Sequence, residues 1–510
     1  MKNILQMLEA SEKRFPDKTA FSDGETDFSY ARLTRSAKGV GTALTRLGAG
    51  FPFPVPVIAP RSAAQVVGML GALYGGGFYT VIDPDSPEER VRDIFDTLQP
   101  STAVCSSEFL PLARRLLPGK ELISLEEASD GEIDEGLLSG IRSRMIDADP
   151  AYVLFTSGST GKPKGAVLTH RNVLAYADWV ANAFAIDENT VFGNQAPLSF
   201  SMSVLDVYTS LLCGATVRII PKKLFSFPVE LFGYLNDNGV NTIYWVPSAL
   251  CIVANCSLFE YARIDGVKKV LFAGEVMPVK QFNYWMDSMP EGTLFANLFG
   301  PTETTDICSY YIVDRRFDDA GSLPIGRNCD NTALSVITAQ GREAAPGEEG
   351  ELYVRGAIVG AGYYRDPERT AESFVPDPLD PYCPQTVYRT GDLVKYNDRG
   401  ELLFISRIDN QIKHMGYRIE PGEIEAAVGA LPGVRAVCCV YDSVKDEIVL
   451  VYEGARRADE KSVEKLSAAR LPGYMLPQRF IKVPSLPRTE SGKTDRTRIA
   501  AEYAGGNNNG

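Results

Sequence analysis

Apolar and polar positions alternate along this chain in two rhythms. Residues 1–10 are amphipathic at a helical period, and Phe28-Ser-Tyr30-Ala-Arg-Leu33 opens a second helix. Residues 66–74 keep the helical period and stop at Gly75-Gly-Gly77, after which Phe78-Tyr-Thr-Val-Ile82 reads as a buried strand. Strand after helix in this order predicts crossover connections and a parallel sheet. Residues 51–60 interrupt the pattern. Prolines at 52, 54 and 56 have no N–H to give to a ladder, which predicts a sheet edge or an irregular segment.

Further along, an apolar strand ending at Leu154-Phe runs into the loop Thr156-Ser-Gly-Ser-Thr-Gly-Lys-Pro-Lys-Gly165, followed by the apolar Ala166-Val-Leu168. Residues 197–208 begin as a loop and pass into a helix, residues 270–275 read as a strand entering a turn, and residues 297–306 as a loop between apolar segments. Residues 350–356 and 388–394 alternate as antiparallel strands do, which predicts a small β-barrel-like unit completing a large domain. Gly360-Ala-Gly362 has no βαβ setting and is not a dinucleotide fingerprint. The character changes at Ser406-Arg407-Ile-Asp409. The predicted organisation is α/β: a large N-terminal domain of several subdomains over 1–406, a hinge at 407–409, a small α/β domain over 410–504 and a solvated tail over 505–510.

Length agrees, because 510 residues exceed what one core serves. With 45% hydrophobic and 23% charged residues, the composition excludes a disordered chain. No apolar run reaches membrane-spanning length and Glu9 interrupts the N-terminal stretch, so the chain is expected to be cytoplasmic, neither exported nor anchored. A net charge of −13 argues against nucleic acid as the main partner. The acidic excess lies before residue 410, which leaves the C-terminal part the less repulsive face for an acidic partner. Scattered cysteines without a C-x-x-C, and only two histidines, argue against a zinc site or a disulfide framework. His170 reads as structural, near the start of a helix, and His414 has no evident partner.

The loop after Leu154 holds the most concentrated chemistry. Hydroxyls at Thr156, Ser157, Ser159 and Thr160, glycines at 158, 161 and 165, and lysines at 162 and 164 combine bare amides, hydroxyl donors and positive charge, as a polyphosphate cradle requires. It is not a Walker loop, because Pro163 stands where a Ser or Thr would hold magnesium and forbids the following helix. The order TSGSTGKPKG behind an apolar strand resembles the signature of the adenylate-forming superfamily. That superfamily includes acyl-CoA synthetases, luciferases, nonribosomal peptide synthetase adenylation domains and D-alanine:carrier-protein ligases. The resemblance covers nearly the whole chain, with the motifs in family order, and is nearest to stand-alone amino-acid adenylation enzymes and D-alanine:carrier-protein ligases.

The resemblance implies an adenylate-forming fold with a mobile C-terminal domain, ATP and Mg2+ as cofactors, and these roles. Glu303 is the metal ligand, with Thr302 toward the α-phosphate. Thr156, Ser157, Gly158, Ser159, Thr160 and Lys164 hold the phosphates. Gly274, Glu275, Asn297 and Phe299 form the adenine site, and Asp392, helped by Arg407, holds the ribose. Lys493 bridges the acid, the ribose and the α-phosphate. Asp409 is the hinge about which Gly416, Tyr417 and Arg418 are brought in for the thiol step.

One motif departs from the pattern. Amino-acid-activating relatives carry Phe-Asp-x-Ser, whose aspartate grips the α-ammonium, whereas this chain reads Phe200-Ser201-Met202-Ser203. A serine does not neutralise an ammonium, and an unpaired buried charge costs about 3–5 kcal/mol. Asp206, five positions on along a helix, is expected to point elsewhere. In the family's register Asp306 falls on a pocket floor otherwise lined by Ser201, Met202, Leu205, Tyr244, Leu271, Ala273, Leu298 and Ile307, where it would hold a displaced amine or a hydroxyl. The expected function is ATP-dependent, AMP-forming activation of a small amino or amino-acid-like acid, then transfer to the phosphopantetheine thiol of a carrier protein supplied in trans. The alternatives are an acyl- or aryl-CoA ligase using coenzyme A, and a catalytically silent nucleotide-binding protein.

Overall fold

A computed structural model describes residues 1–48, 50–158, 162–456, 458–488 and 494–505. The chain folds into two compact units. The first comprises residues 1–84, 98–154 and 165–408; the second comprises residues 85–97, 155–164 and 409–510.

The first unit is built on two largely parallel sheets and one antiparallel one. Among the described residues, the largest sheet runs in the order Arg327–Asn328, Ser309–Ile312, Leu294–Phe299, Lys269–Phe272, Thr242–Trp245, Val191–Asn194, Thr216–Ile219, Thr19–Ser22, Asp27–Ser29. Its middle is parallel and its edges antiparallel. Leu294–Phe299 is thus a strand, and the loop expected over 297–306 begins only at Gly300. A second sheet has the order Glu121–Ser124, Thr102–Cys105, Pro54–Ile58, Phe78–Ile82, Pro150–Thr156, Lys164–Thr169. The antiparallel sheet pairs Gly350–Gly356 and Thr386–Tyr396, as the alternation predicts, and adds Thr332–Ile337, Phe374–Pro376 and Leu402–Arg407.

The proline-rich segment corrects the sequence reading. Pro54–Ile58 is an interior strand, paired to Phe78–Ile82 along its whole length. Pro54 and Pro56 share the parity of Ile58, whose carbonyl accepts from Ser106 on the side of Thr102–Cys105. Their missing N–H groups therefore face that neighbour, whose ladder with this strand is confined to Val57 and Ile58. Parity, not edge position, accommodates the prolines.

Helices Tyr30–Arg46 and Ala63–Tyr74 lie against each other through glycines. A Cβ on Gly41 would stand 2.5 Å from Tyr74 Cβ, and one on Gly71 2.5 Å from Val40 Cβ. Gly71→Ala is therefore expected to destabilise the fold by about 1–3 kcal/mol through overpacking, despite alanine's better helix propensity. A urea unfolding midpoint equal to or above that of the unsubstituted protein would refute this.

In the second unit the hairpin Ile412–His414/Tyr417–Ile419 leads into a sheet of Val434–Asp442, Glu447–Gly454 and Arg479–Val483, with helices Pro421–Gly429, Glu460–Ala468 and Arg496–Tyr503. Strand alternation divides its core. Cys439, Ile448, Leu450 and Tyr452 pack with Ile424 and Val428, while Cys438, Val440, Val449 and Val451 pack with Ile499.

Candidate active site

Strand register builds the floor of the predicted acid pocket. Asn194, Tyr244, Leu271 and Ala296 stand side by side on neighbouring parallel strands, so they share one face of the sheet. Leu298, two positions beyond Ala296, shares it too. Helix His170–Ala183 starts at a capping box between Thr169 and Asn172, and Asn172 Nδ2 donates to the carbonyls of Ala357 and Val359. One turn on, Tyr176 donates from Oη to Asp306 Oδ2 at 2.7 Å, and Tyr244 Oη donates to the same oxygen at 3.0 Å.

Asp306 reaches this position through a strained turn. Thr305 has φ +71° and ψ −53°, and the Asp306 N–H donates to Thr304 O at 2.8 Å, a γ-turn of the rarer hand. A β-branched residue held there stores strain on the order of 1–3 kcal/mol. Thr305 Oγ1 anchors it by donating to Ile358 O at 2.7 Å. Burial pushes the Asp306 carboxyl up to about 6, opposed by hydrogen bonds from Tyr176, Tyr244 and Ser201. Met202, Leu205, Ala273 and Ile307 are buried apolar residues. Ser201 Oγ accepts from Thr302 Oγ1 at 3.3 Å.

Asp206 does not point away. It is buried, Oδ2 accepts from Asn194 Nδ2 at 2.8 Å, and burial raises its pKa to about 7, with the Asp306 charge acting in the same direction. Helical phase counted from Ser201 does not apply, because the helix begins only at Ser203.

The residues expected around the nucleotide fall in both units. In the first, Glu303 is fully buried and its Oε1 accepts from Tyr363 Oη at 2.6 Å. The Gly360 N–H donates to the Glu303 carbonyl at 2.9 Å, and a Cβ on Gly360 would lie 2.7 Å from Val167 O. Gly360-Ala-Gly362, which is no nucleotide fingerprint, thus packs tightly beside the Glu303 turn. Arg407 Nη1 donates to Asp392 Oδ1 at 2.9 Å and to Thr390 O at 2.6 Å. Asn297 Nδ2 donates to Pro324 O, Phe299 packs against Phe404 with ring centroids 5.8 Å apart, and Glu275 Oε2 accepts from Ser248 N at 2.8 Å, next to Gly274 at φ +95°.

In the second unit, Thr156 Oγ1 is buried with no partner among the described residues. Ser157 Oγ donates to Arg418 O at 2.6 Å, and Gly158 N–H donates to Glu423 Oε2 at 3.3 Å. Glu423 is itself paired with buried Arg90. Lys164 opens a strand. Ser159, Thr160 and Lys493 lie outside the described residues. Asp409 Oδ1 accepts from Gln411 N at 3.1 Å. Met415 and Gly416, both at positive φ (51° and 78°), close the hairpin by a two-residue turn. Tyr417 stacks on Tyr474 at 3.9 Å and 10°.

Two family models match this chain: AMP-binding enzyme over residues 8–364, and AMP-binding enzyme C-terminal domain over residues 423–493. The chain belongs to the AMP-binding enzyme family. Zwittermicin A synthase ZmaJ of Bacillus cereus is 30% identical over 98% of this chain and 94% of its own length. Tyrocidine synthase 1 of Brevibacillus parabrevis is 29% identical over 97% of this chain, which spans only 44% of that protein. Among solved structures, IdnL1 has a TM-score of 0.79 at 27% identity, covering 96% of this chain and 99% of that one. The adenylate-forming fold, with a large N-terminal and a smaller C-terminal domain, is the one the sequence led us to expect.

In this AMP-binding enzyme Glu303 is a single buried carboxylate, a ligand that suits magnesium only if the ion is held jointly with nucleotide phosphates. That ion takes one or two carboxylates plus phosphates rather than an all-protein cage, and among the described residues no cluster of His, Cys, Asp and Glu forms such a cage. Sequence reading missed Tyr176, Tyr363, Arg90 and Glu423. Each meets its partner across 60 or more residues of chain, which no local pattern records.

Proposed function

We propose that this chain activates a small amino or amino-acid-like acid with ATP and passes it to the phosphopantetheine thiol of a carrier protein. In the first step a carboxylate oxygen bonds to the α-phosphorus and the bond to the bridging oxygen breaks, releasing pyrophosphate. In the second the thiolate sulfur attacks the acyl carbon, AMP leaves with the bonding pair, and the thiol proton passes to solvent. One observation carries this reading. The turn over 300–306 supplies both the buried carboxylate of Glu303 and, through its strained end, the pocket carboxylate Asp306, so acid and nucleotide are served by one short loop.

Within this reading Asp392, fixed by Arg407, holds the ribose hydroxyls, and Asn297, Phe299, Gly274 and Glu275 hold the base. Thr156, Ser157, Gly158, Ser159, Thr160 and Lys164 orient the phosphates, Thr302 donates to the α-phosphate, and Lys493 bridges the reacting groups. Magnesium held by Glu303 neutralises charge on the phosphate oxygens when bound. Gly416, Tyr417 and Arg418 serve the thiol step, about a hinge at Asp409.

Incubation with ATP, a panel of small acids and either a holo-carrier protein or coenzyme A tests the acceptor. A thioester on the carrier and none on coenzyme A is expected; the reverse would make the protein an acyl-CoA ligase. Tyr474→Ala removes the ring that holds Tyr417 and is expected to slow thioester formation about tenfold while leaving ATP–pyrophosphate exchange unchanged. Equal losses in both assays would refute a role confined to the thiol step.

A further inference from the structure

The two buried carboxylates, 2% and 1% exposed for Asp306 and Asp206, have different surroundings. Behind Asp206, the Asn194 amide oxygen accepts from Arg61 Nη2 at 2.6 Å, and the guanidinium charge offsets part of the burial. Asp306 meets hydroxyls: among the described residues Tyr176, Tyr244 and Ser201 act on it, and no cation does.

Among the described residues, the buried Asp206 Oδ1 and Tyr152 Oη have no hydrogen-bond partner. Tyr152 is fully buried and is held by the rings of Tyr79 and Tyr208. Buried polar atoms without partners are rare and call for an occupant.

Ser201 sets the depth at which that occupant binds. Its hydroxyl meets Thr302 on one side and Asp306 on the other. An aspartate at 201 would bring a carboxylate next to Thr302. Here the carboxylate on offer is Asp306, one hydrogen bond deeper.

We propose that Asp306, with Asp206 behind, is the counter-ion for an ammonium group on the β carbon or farther along the acid, so that the substrate is a short β- or ω-amino acid. An ammonium carries a charge for Asp306 to neutralise and three N–H donors that Asp306 and Asp206 Oδ1 can accept; a substrate hydroxyl is neutral and offers one donor. Leu205, Leu271 and Leu298 suit the intervening methylenes. This rests on the proposed acid activation.

The test is ATP–pyrophosphate exchange by the full-length protein with glycine, D- and L-alanine, β-alanine, 3-aminobutyrate, 4-aminobutyrate, 3-hydroxypropionate and propionate. A β- or ω-amino acid is expected to exceed its hydroxyl and unsubstituted analogues by about 100-fold in kcat/KM. Asp306→Asn abolishes that preference while residual exchange with propionate persists. Ser201→Asp brings in α-amino acids. Exchange that favours α-amino or uncharged acids in the unsubstituted protein overturns the inference but leaves acid activation standing. So does an Asp306→Asn protein, melting cooperatively, whose ranking of acids is unchanged. Exchange with no acid at all overturns both.

Discussion

Glu303→Gln lowers ATP–pyrophosphate exchange by about 10²–10³-fold, the usual effect of removing one preorganised electrostatic contact at a phosphoryl transfer site. The substitution isolates charge. Glutamine keeps the volume of a fully buried side chain, and its amide oxygen still accepts from Tyr363 Oη, so the Gly360 contact to the Glu303 carbonyl and the following turn are kept. What is lost is the anion. Magnesium titrations of the variant should shift to higher concentration, and the thermal melt should stay cooperative. A loss under tenfold with unaltered magnesium dependence would remove Glu303 from the chemistry and leave it a structural carboxylate of the turn.

Asp306→Asn also raises the stability of the unliganded protein at neutral pH, and the gain vanishes in acid. Burial lifts Asp306 from an ordinary 3.8 to about 6 and Asp206 to about 7. The unfolded chain therefore releases these protons near pH 4 while the folded chain keeps them until pH 6–7. Between those limits the folded state binds more protons, so stability falls as pH rises. At 1.36 kcal/mol per unit, Asp306 costs the folded protein about 3 kcal/mol at pH 7.5, the figure the asparagine variant should recover and should not show at pH 4. Removing the Asp306 charge also brings the Asp206 carboxyl down. Paired melts from pH 4 to 7.5 check this, and a difference between the two proteins that does not change with pH would contradict it. Such a cost, retained at a pocket, is what an anion set to receive a cation would show.

Much of this fold was legible because its signals are local. The glycine triplet after residues 66–74 ends a helix, Phe78–Ile82 is a strand, and the alternation at 350–356 and 388–394 became paired antiparallel strands. Pro54–Ile58 misled, because propensity registers a missing donor but not the side of the strand it faces. Phosphate-loop and turn motifs were readable as compact strings. Tyr176 and Tyr363 were not, since a buried tyrosine looks like core until the carboxylate that it meets is known. His170 is the buried first residue of its helix, its pKa lowered to about 4 by burial, in keeping with a structural reading. His414 has a partner that sequence could not name, Asp446 at 3.0 Å. No helix among the described residues is long and apolar enough to cross a membrane.

As an acid-activating enzyme, this chain is expected to cleave ATP between the α- and β-phosphates when an acid is supplied. Chromatographic quantification of nucleotides and phosphates after single-turnover reaction with an accepted acid tests it most directly. AMP and pyrophosphate are expected in equal amounts, dependent on the acid. ADP with orthophosphate, or no acid-dependent cleavage with any member of the panel, would contradict it.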